Sequence, residues 1–156
     1  QVLAHLCNPQ DFLSRASELF HKLEFEEGIA LMPYAKECLE YLKPKYRIAL
    51  ASSTRNELVI RQLKNANVLE FFEVIVTGDM VLHSKPDPEI YLKACEELNI
   101  PPENCIAIED SPNGLKSAFF AGLNTIMVPD KIQPNEELNQ FIWKKCDSLK
   151  NVMDML

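Results

Sequence analysis

Apolar residues recur along this chain in two rhythms. Over Phe12, Ala16, Leu19, Phe20 and Leu23 they fall three and four apart, the spacing of one helix face. The same spacing returns at Ala35, Cys38, Leu39 and Leu42, and at Val59, Leu63 and Ala66. It comes back at Tyr91, Ala94, Cys95 and Leu98, and at Leu115, Ala118 and Phe119 with Gly122. Between these stretches lie short apolar runs, Tyr46–Ala51, Glu73–Thr77, Cys105–Ile108 and Thr125–Val128, which predict strands, Cys105–Ile108 being read as buried. A further helix is expected around Glu136–Trp143, and a last amphipathic turn or two over Leu149, Val152, Met153 and Leu156. Strands alternating with helices of about ten residues predict βαβ units. The expected fold is therefore α/β, a Rossmann-like parallel sheet with helices on both faces.

Turn chemistry sets the boundaries. Asn8-Pro9-Gln10-Asp11 has the residues of a helix start, with Asn as cap, Pro at the first position and an acid in the first turn. Glu24, Glu26 and Glu27 lead into Gly28, so residues 1–28 read as a helical piece distinct from residues 29–156. Pro44 ends the helix that begins near Pro33.

Composition narrows the function classes. The chain has 156 residues and is 47% hydrophobic, enough for a sizeable core. A net charge of −7 argues against nucleic-acid and anionic-membrane surfaces. No apolar run is long enough to span a bilayer, and a cytoplasmic protein is expected. The five cysteines, Cys7, Cys38, Cys95, Cys105 and Cys146, show no C-x-x-C spacing and are read as small core residues in a reducing compartment. With four glycines and no G-x-G-x-x-G, the P-loop and dinucleotide-binding readings fall away.

Three polar clusters sit at or just past predicted strand ends, where open α/β sheets bind ligands. The first is Ser52-Ser53-Thr54-Arg55-Asn56: hydroxyls and free backbone N–H groups at a helix start suit an anion. Ser52, the first polar residue after the strand, is the better placed for a ligand, and Thr54 is expected to cap the helix. The second is His83-Ser84-Lys85-Pro86-Asp87-Pro88. Pro86 keeps Lys85 out of helical geometry, Asp87 is the expected cap, and Pro88 begins a helix. A fixed ammonium there can neutralise a phosphate. His83 is expected to be a loop histidine without a function, and His5 and His21 surface or packing residues. In the third cluster, Glu109 and Asp110 repel each other and need a cation or a proton, and Ser111-Pro112 opens a helix. A hard divalent ion such as Mg²⁺ suits oxygen ligands and leaves room for phosphate. Together these clusters predict a Mg²⁺-dependent phosphate site.

The stretch Leu31–Asp130 resembles the haloacid dehalogenase superfamily, in its branch of phosphoglycolate phosphatases and β-phosphoglucomutases. IALASSTRN is similar to the second motif of that family, SKPDPEIY to its third and IAIEDSPNG to its fourth. The resemblance implies a phosphatase or mutase of small phosphorylated metabolites. Ser52, with Ser53 beside it, would hold the phosphoryl group, and Lys85 would neutralise it and orient the nucleophile. Asp110 would bind Mg²⁺, with Glu109 in direct contact with the ion or just behind. It also implies that residues 1–28 are the end of an α-helical cap. The family's first motif, a D-x-D strand end that supplies the nucleophile of an aspartyl-phosphate route, has no counterpart in this sequence. In the family that strand lies between the ones ending at Ser52 and Asp110. The chain is therefore expected to be a fragment, inactive alone, whose partner is the missing N-terminal segment of the same protein. The alternative is a non-catalytic relative that binds a phosphorylated ligand or a protein. A response-regulator receiver also combines acids, hydroxyl and lysine, but in a different order along the chain.

Overall fold

Five short strands, all paired in parallel, alternate with helices in the computed structural model, which describes residues 30–156. In chain order they are α1 (Ala35–Leu42), β1 (Ala49–Ser52), α2 (Asn56–Asn65), β2 (Val74–Thr77), α3 (Glu89–Leu98) and β3 (Ile106–Glu109). These are followed by α4 (Pro112–Phe120), β4 (Asn124–Met127), α5 (Glu136–Asn139), β5 (Lys144–Lys145) and α6 (Leu149–Met155). The expected helical piece at residues 1–28 lies outside the described residues. None of the helices described is long and apolar enough to cross a membrane.

Helices cover both faces, as the alternation predicts. On one face α3 and α4 bury Ile90, Tyr91, Ala94, Cys95 and Ala118 against Val76 of β2 and Ala107 of β3. On the other, Cys38 and Leu42 of α1 and Val152 of α6 close over Ile126 of β4, with Val128 and Cys146. Buried apolar contacts of this kind, at about 25 cal/mol per Å² removed from water, supply most of the stabilisation.

The strands divide into two sheets, β1-β2 and β3-β4-β5. Among the described residues β1 pairs only with β2, and β3 only with β4. α3 reaches both sheets, since Val76 and Ala107 belong to its one apolar cluster. The division corrects the reading of β3 as a buried strand. Ala107 and Glu109 are buried, but Ile106 and Ile108 on the opposite face are 39% and 36% exposed, beside the open edge of β3. Phe119, expected inward, is also exposed, and meets Phe120 and Phe141 edge-on with ring centroids 5.8 and 5.2 Å away. The helix expected over Glu136–Trp143 is shorter, ending at Asn139, and the chain then adds β5 to the edge of β4.

Candidate active site

Ser52 is the last residue of β1, and Glu109 the last of β3, with Asp110 just beyond. The parallel strands therefore present the first and third polar clusters at their carboxyl ends. The loop after β2 carries the second cluster. Ser117 of α4 donates from Oγ to the Asp87 carbonyl at 2.6 Å, tying that loop to the helix that follows β3. The Lys85–Pro86 bond within the loop is cis.

The Lys85 ammonium lies between the two sheets. Nζ donates to the Ala51 carbonyl of β1 at 3.1 Å and to Glu109 Oε1 of β3 at 2.6 Å, and stands 3.4 Å from the Tyr91 hydroxyl. The Lys85 and Glu109 side chains are 11% and 8% exposed. A charge pair removed from water to that degree persists because further hydrogen bonds satisfy it. Those bonds come from Tyr91, which donates to Glu109 Oε1, and from Ser111, whose Oγ donates to Oε2 at 3.1 Å. Burial, and then the negative charge of Glu109, push the Tyr91 phenol well above its usual range, so it stays protonated as a donor.

α4 begins against this pair. Ser111 is the helix cap, and its Oγ accepts the Gly114 N–H at 3.1 Å. A Cβ at Gly114 would overlap the Glu109 carboxylate, so the close approach of helix to acid needs glycine there.

The two acids of the third cluster have different surroundings. Both oxygens of Glu109 accept bonds, from Lys85 and Tyr91 on one and Ser111 on the other. Asp110 is exposed, and its carboxylate makes no hydrogen bond or ion pair among the described residues. Ser52 is half-buried and its Oγ accepts the Thr54 N–H at 3.2 Å. Ser53 is exposed, and a Cβ at Gly78 would overlap its carbonyl, so the loop after β2 crosses close to the end of β1. Lys85 thus sits beside the residues preceding Ser52 and Asp110, while no hydrogen bond joins Ser52, Ser53 or Asp110 to it.

Thr54 does not cap α2. The helix starts at Asn56 with Arg55 in the cap position, and the N–H of Asn56 donates instead to Asp79 Oδ1 at 2.9 Å. The Thr77 hydroxyl bonds the same oxygen at 2.7 Å, and these two bonds hold the Asp79 carboxyl below its usual range. Asp87 does accept the Glu89 N–H at 2.9 Å, although Pro88 and not Asp87 occupies the cap position of α3. His83 is exposed, with Nδ1 2.9 Å from Glu89 Oε2.

The helical spacing predicts Tyr91 in the core, where it lies, and carries no sign of the partner of its hydroxyl. The available signal was that a buried tyrosine O–H almost always finds a polar partner. Ser117 and Asp79 carry no local signal of their positioning roles, because their partners Asp87 and Asn56 lie 30 and 23 residues away.

Comparison with known proteins fits this arrangement. The family model for haloacid dehalogenase-like hydrolases matches residues 3–128. A phosphorylated carbohydrates phosphatase of Thermotoga maritima is 40% identical over 80% of this chain and 60% of its own length. A CbbY protein of Cereibacter sphaeroides is 39% identical over 78% of this chain and 54% of its own. The chain thus spans little more than half the length of these relatives. Among solved structures, a putative β-phosphoglucomutase from Thermotoga maritima superposes with a TM-score of 0.79 at 30% identity, covering 94% of this chain and 68% of that one. CbbY from Rhodobacter sphaeroides in complex with phosphate gives 0.77 at 36% identity, covering 92% and 66%. Parallel strands with acids, a lysine and a hydroxyl at their ends, and a match over most of the sequence, lead to one conclusion: the chain belongs to the haloacid dehalogenase-like hydrolase family.

Proposed function

We propose that the protein containing this chain is a Mg²⁺-dependent phosphatase or phosphomutase of small phosphorylated metabolites, and that this chain carries the phosphate and metal half of its site. The observation that carries the reading is the Lys85 ammonium, fixed at 3.1 Å from the Ala51 carbonyl and 2.6 Å from Glu109. An ammonium pinned at the strand ends offers positive charge where a phosphoryl group would gather negative charge, with no reorganisation needed. Ser52, with Ser53, binds a phosphoryl oxygen by hydroxyl and backbone donors.

The donor set suits Mg²⁺. Asp110 supplies a carboxylate without hydrogen bonds at the rim, and Mg²⁺ is commonly held by one or two carboxylates together with substrate phosphate and water. Asp110 is the direct ligand in this reading. Glu109, already engaged by three donors, supports the site from behind by holding Lys85. When bound, Mg²⁺ supplies Lewis acidity to the phosphoryl oxygens.

The sequence has no D-x-D at a strand end to provide a nucleophile. We place that carboxylate, which would form the aspartyl-phosphate, on a preceding segment whose strand lies between the edges of β1 and β3 that are unpaired among the described residues. Residues 1–28 are, in the same reading, the end of a helical cap, and the protein acts in the cytoplasm. The same missing motif favours a second reading, a non-catalytic binder of a phosphorylated ligand or protein. Phosphate release from an aryl phosphate with and without Mg²⁺ separates the two. The chain alone is expected to release none, and the protein carrying a D-x-D segment to turn over with Mg²⁺. No turnover by that longer protein overturns the phosphatase reading.

A further inference from the structure

α3 and β3 touch at a second polar rung, one turn along the helix from Tyr91. Cys95 follows Tyr91 by four residues on α3, and Cys105 precedes Glu109 by four just before β3. Each pair of positions lies on one face of its element. Tyr91 meets Glu109, and the Sγ atoms of Cys95 and Cys105 stand 3.7 Å apart. We propose that Cys95 and Cys105 form a reversible thiol–disulfide site, which closes by exchange with a small-molecule disulfide and staples α3 to the start of β3.

The backbone at both positions is fixed. The Ile100 N–H donates to the Cys95 carbonyl at 3.0 Å, and the Asn124 N–H donates to the Cys105 carbonyl at 3.1 Å. The sulfurs must close from 3.7 Å to about 2.05 Å, a movement of the side chains within an existing contact. Access is one-sided. Cys105 is half-buried and can be reached, whereas Cys95 is 4% exposed. Burial, and then the hydrogen bond to Cys105, hold the Cys95 thiol above its usual range, and its access to solvent makes Cys105 the first to react.

The reaction balances with glutathione disulfide as oxidant. The Cys105 thiolate attacks one of its sulfurs, forming a mixed disulfide and releasing one glutathione thiolate. Cys95 then loses its proton to solvent, its sulfur attacks the Cys105 sulfur, and the second glutathione leaves. The two protein thiols give up two electrons and two protons, and the glutathione disulfide is reduced to two thiols.

The test is incubation of the protein with glutathione disulfide, quenching with an alkylating agent, and mass spectrometry of the intact chain and of its peptides. The expected product has lost two of the five thiols, carries no glutathione, and yields one Cys95–Cys105 cross-linked peptide that dithiothreitol cleaves. Cys95→Ser is expected to stop at a glutathione adduct on Cys105, and Cys38→Ser to leave the cross-link intact. A stable glutathione adduct on Cys105 in the unsubstituted protein, a cross-link mapping to another pair, or five thiols still alkylated would each overturn the proposal.

Discussion

Lys85 and Glu109 are 24 positions apart in the chain and 2.6 Å apart in the fold, nearly shielded from water. Lys85 belongs to the loop after β2 and Glu109 to the end of β3, so the contact forms only when the third and fourth family motifs are brought to the same end of the strands. The pair is also where the two sheets meet, because the same ammonium bonds the Ala51 carbonyl of β1.

Removing one member should cost more than removing both. Lys85→Met leaves a buried carboxylate without its counter-ion, and breaking such a pair costs about 3–5 kcal/mol. Glu109→Gln added to Lys85→Met removes the uncompensated charge and should recover part of that loss. Urea unfolding of the wild type, both single variants and the double variant gives the coupling. Simple additivity of the two losses would mean that the ion pair does not organise this end of the sheet.

Tyr91→Phe deletes one donor to Glu109 while keeping the ring in the core. The expected loss is about 1–2 kcal/mol, since a buried acceptor gives up a hydrogen bond but retains Lys85 and Ser111. Thermal unfolding checks it, and a variant as stable as the wild type would show the bond to be incidental.

Gly114→Ala should act on Lys85 without touching it. The added methyl overlaps the Glu109 carboxylate, which three donors hold in place, so either α4 shifts or the Lys85 contact breaks. The expected results are a lower melting temperature and, in the protein carrying a D-x-D segment, reduced turnover. Ser117→Ala, on the same helix, should loosen the Asp87 connection and leave Glu109 bound.

Much of this arrangement can be read in the sequence, for identifiable reasons. Ser52 and the Glu109-Asp110 pair stand out because they follow apolar runs of the length that marks strands, and Lys85 because Pro86 keeps it out of helical geometry. The helix start at Ser111-Pro112 follows local turn chemistry, with Ser111 as the cap. What was not legible depends on partners remote in sequence. The α2 N–H of Asn56 finds its acceptor 23 residues away at Asp79, so no pattern around Thr54 could reveal it. β5 consists of two exposed lysines, charged as edge strands often are, and lacks any apolar alternation. Ile106 and Ile108 look like core residues, and their exposure follows only from the absence of a pairing strand on that edge of β3 among the described residues.

Acid should loosen the start of α2. The Asp79 carboxyl titrates below its usual 3.8 because Thr77 and the Asn56 N–H bond its ionised form. A carboxyl depressed on folding stabilises above its unfolded value, and that contribution disappears as pH falls through the lower, folded value. The stability gap between the wild type and Asp79→Asn is therefore expected to be full at neutral pH and to narrow below about pH 4. Melting temperatures of the two proteins between pH 7 and 2.5 measure it; a gap independent of pH would remove Asp79 from the account.

The central claim is that Ser52, Lys85 and Asp110 serve one phosphate. Isothermal titration of this chain with inorganic phosphate in the presence of Mg²⁺ tests it most directly, alongside Ser52→Ala, Lys85→Ala and Asp110→Asn. The expected result is Mg²⁺-dependent binding at one site, weakened about tenfold or more by each substitution, equivalent to at least 1.4 kcal/mol apiece. Absence of phosphate binding, or binding that all three variants retain unchanged, would contradict it.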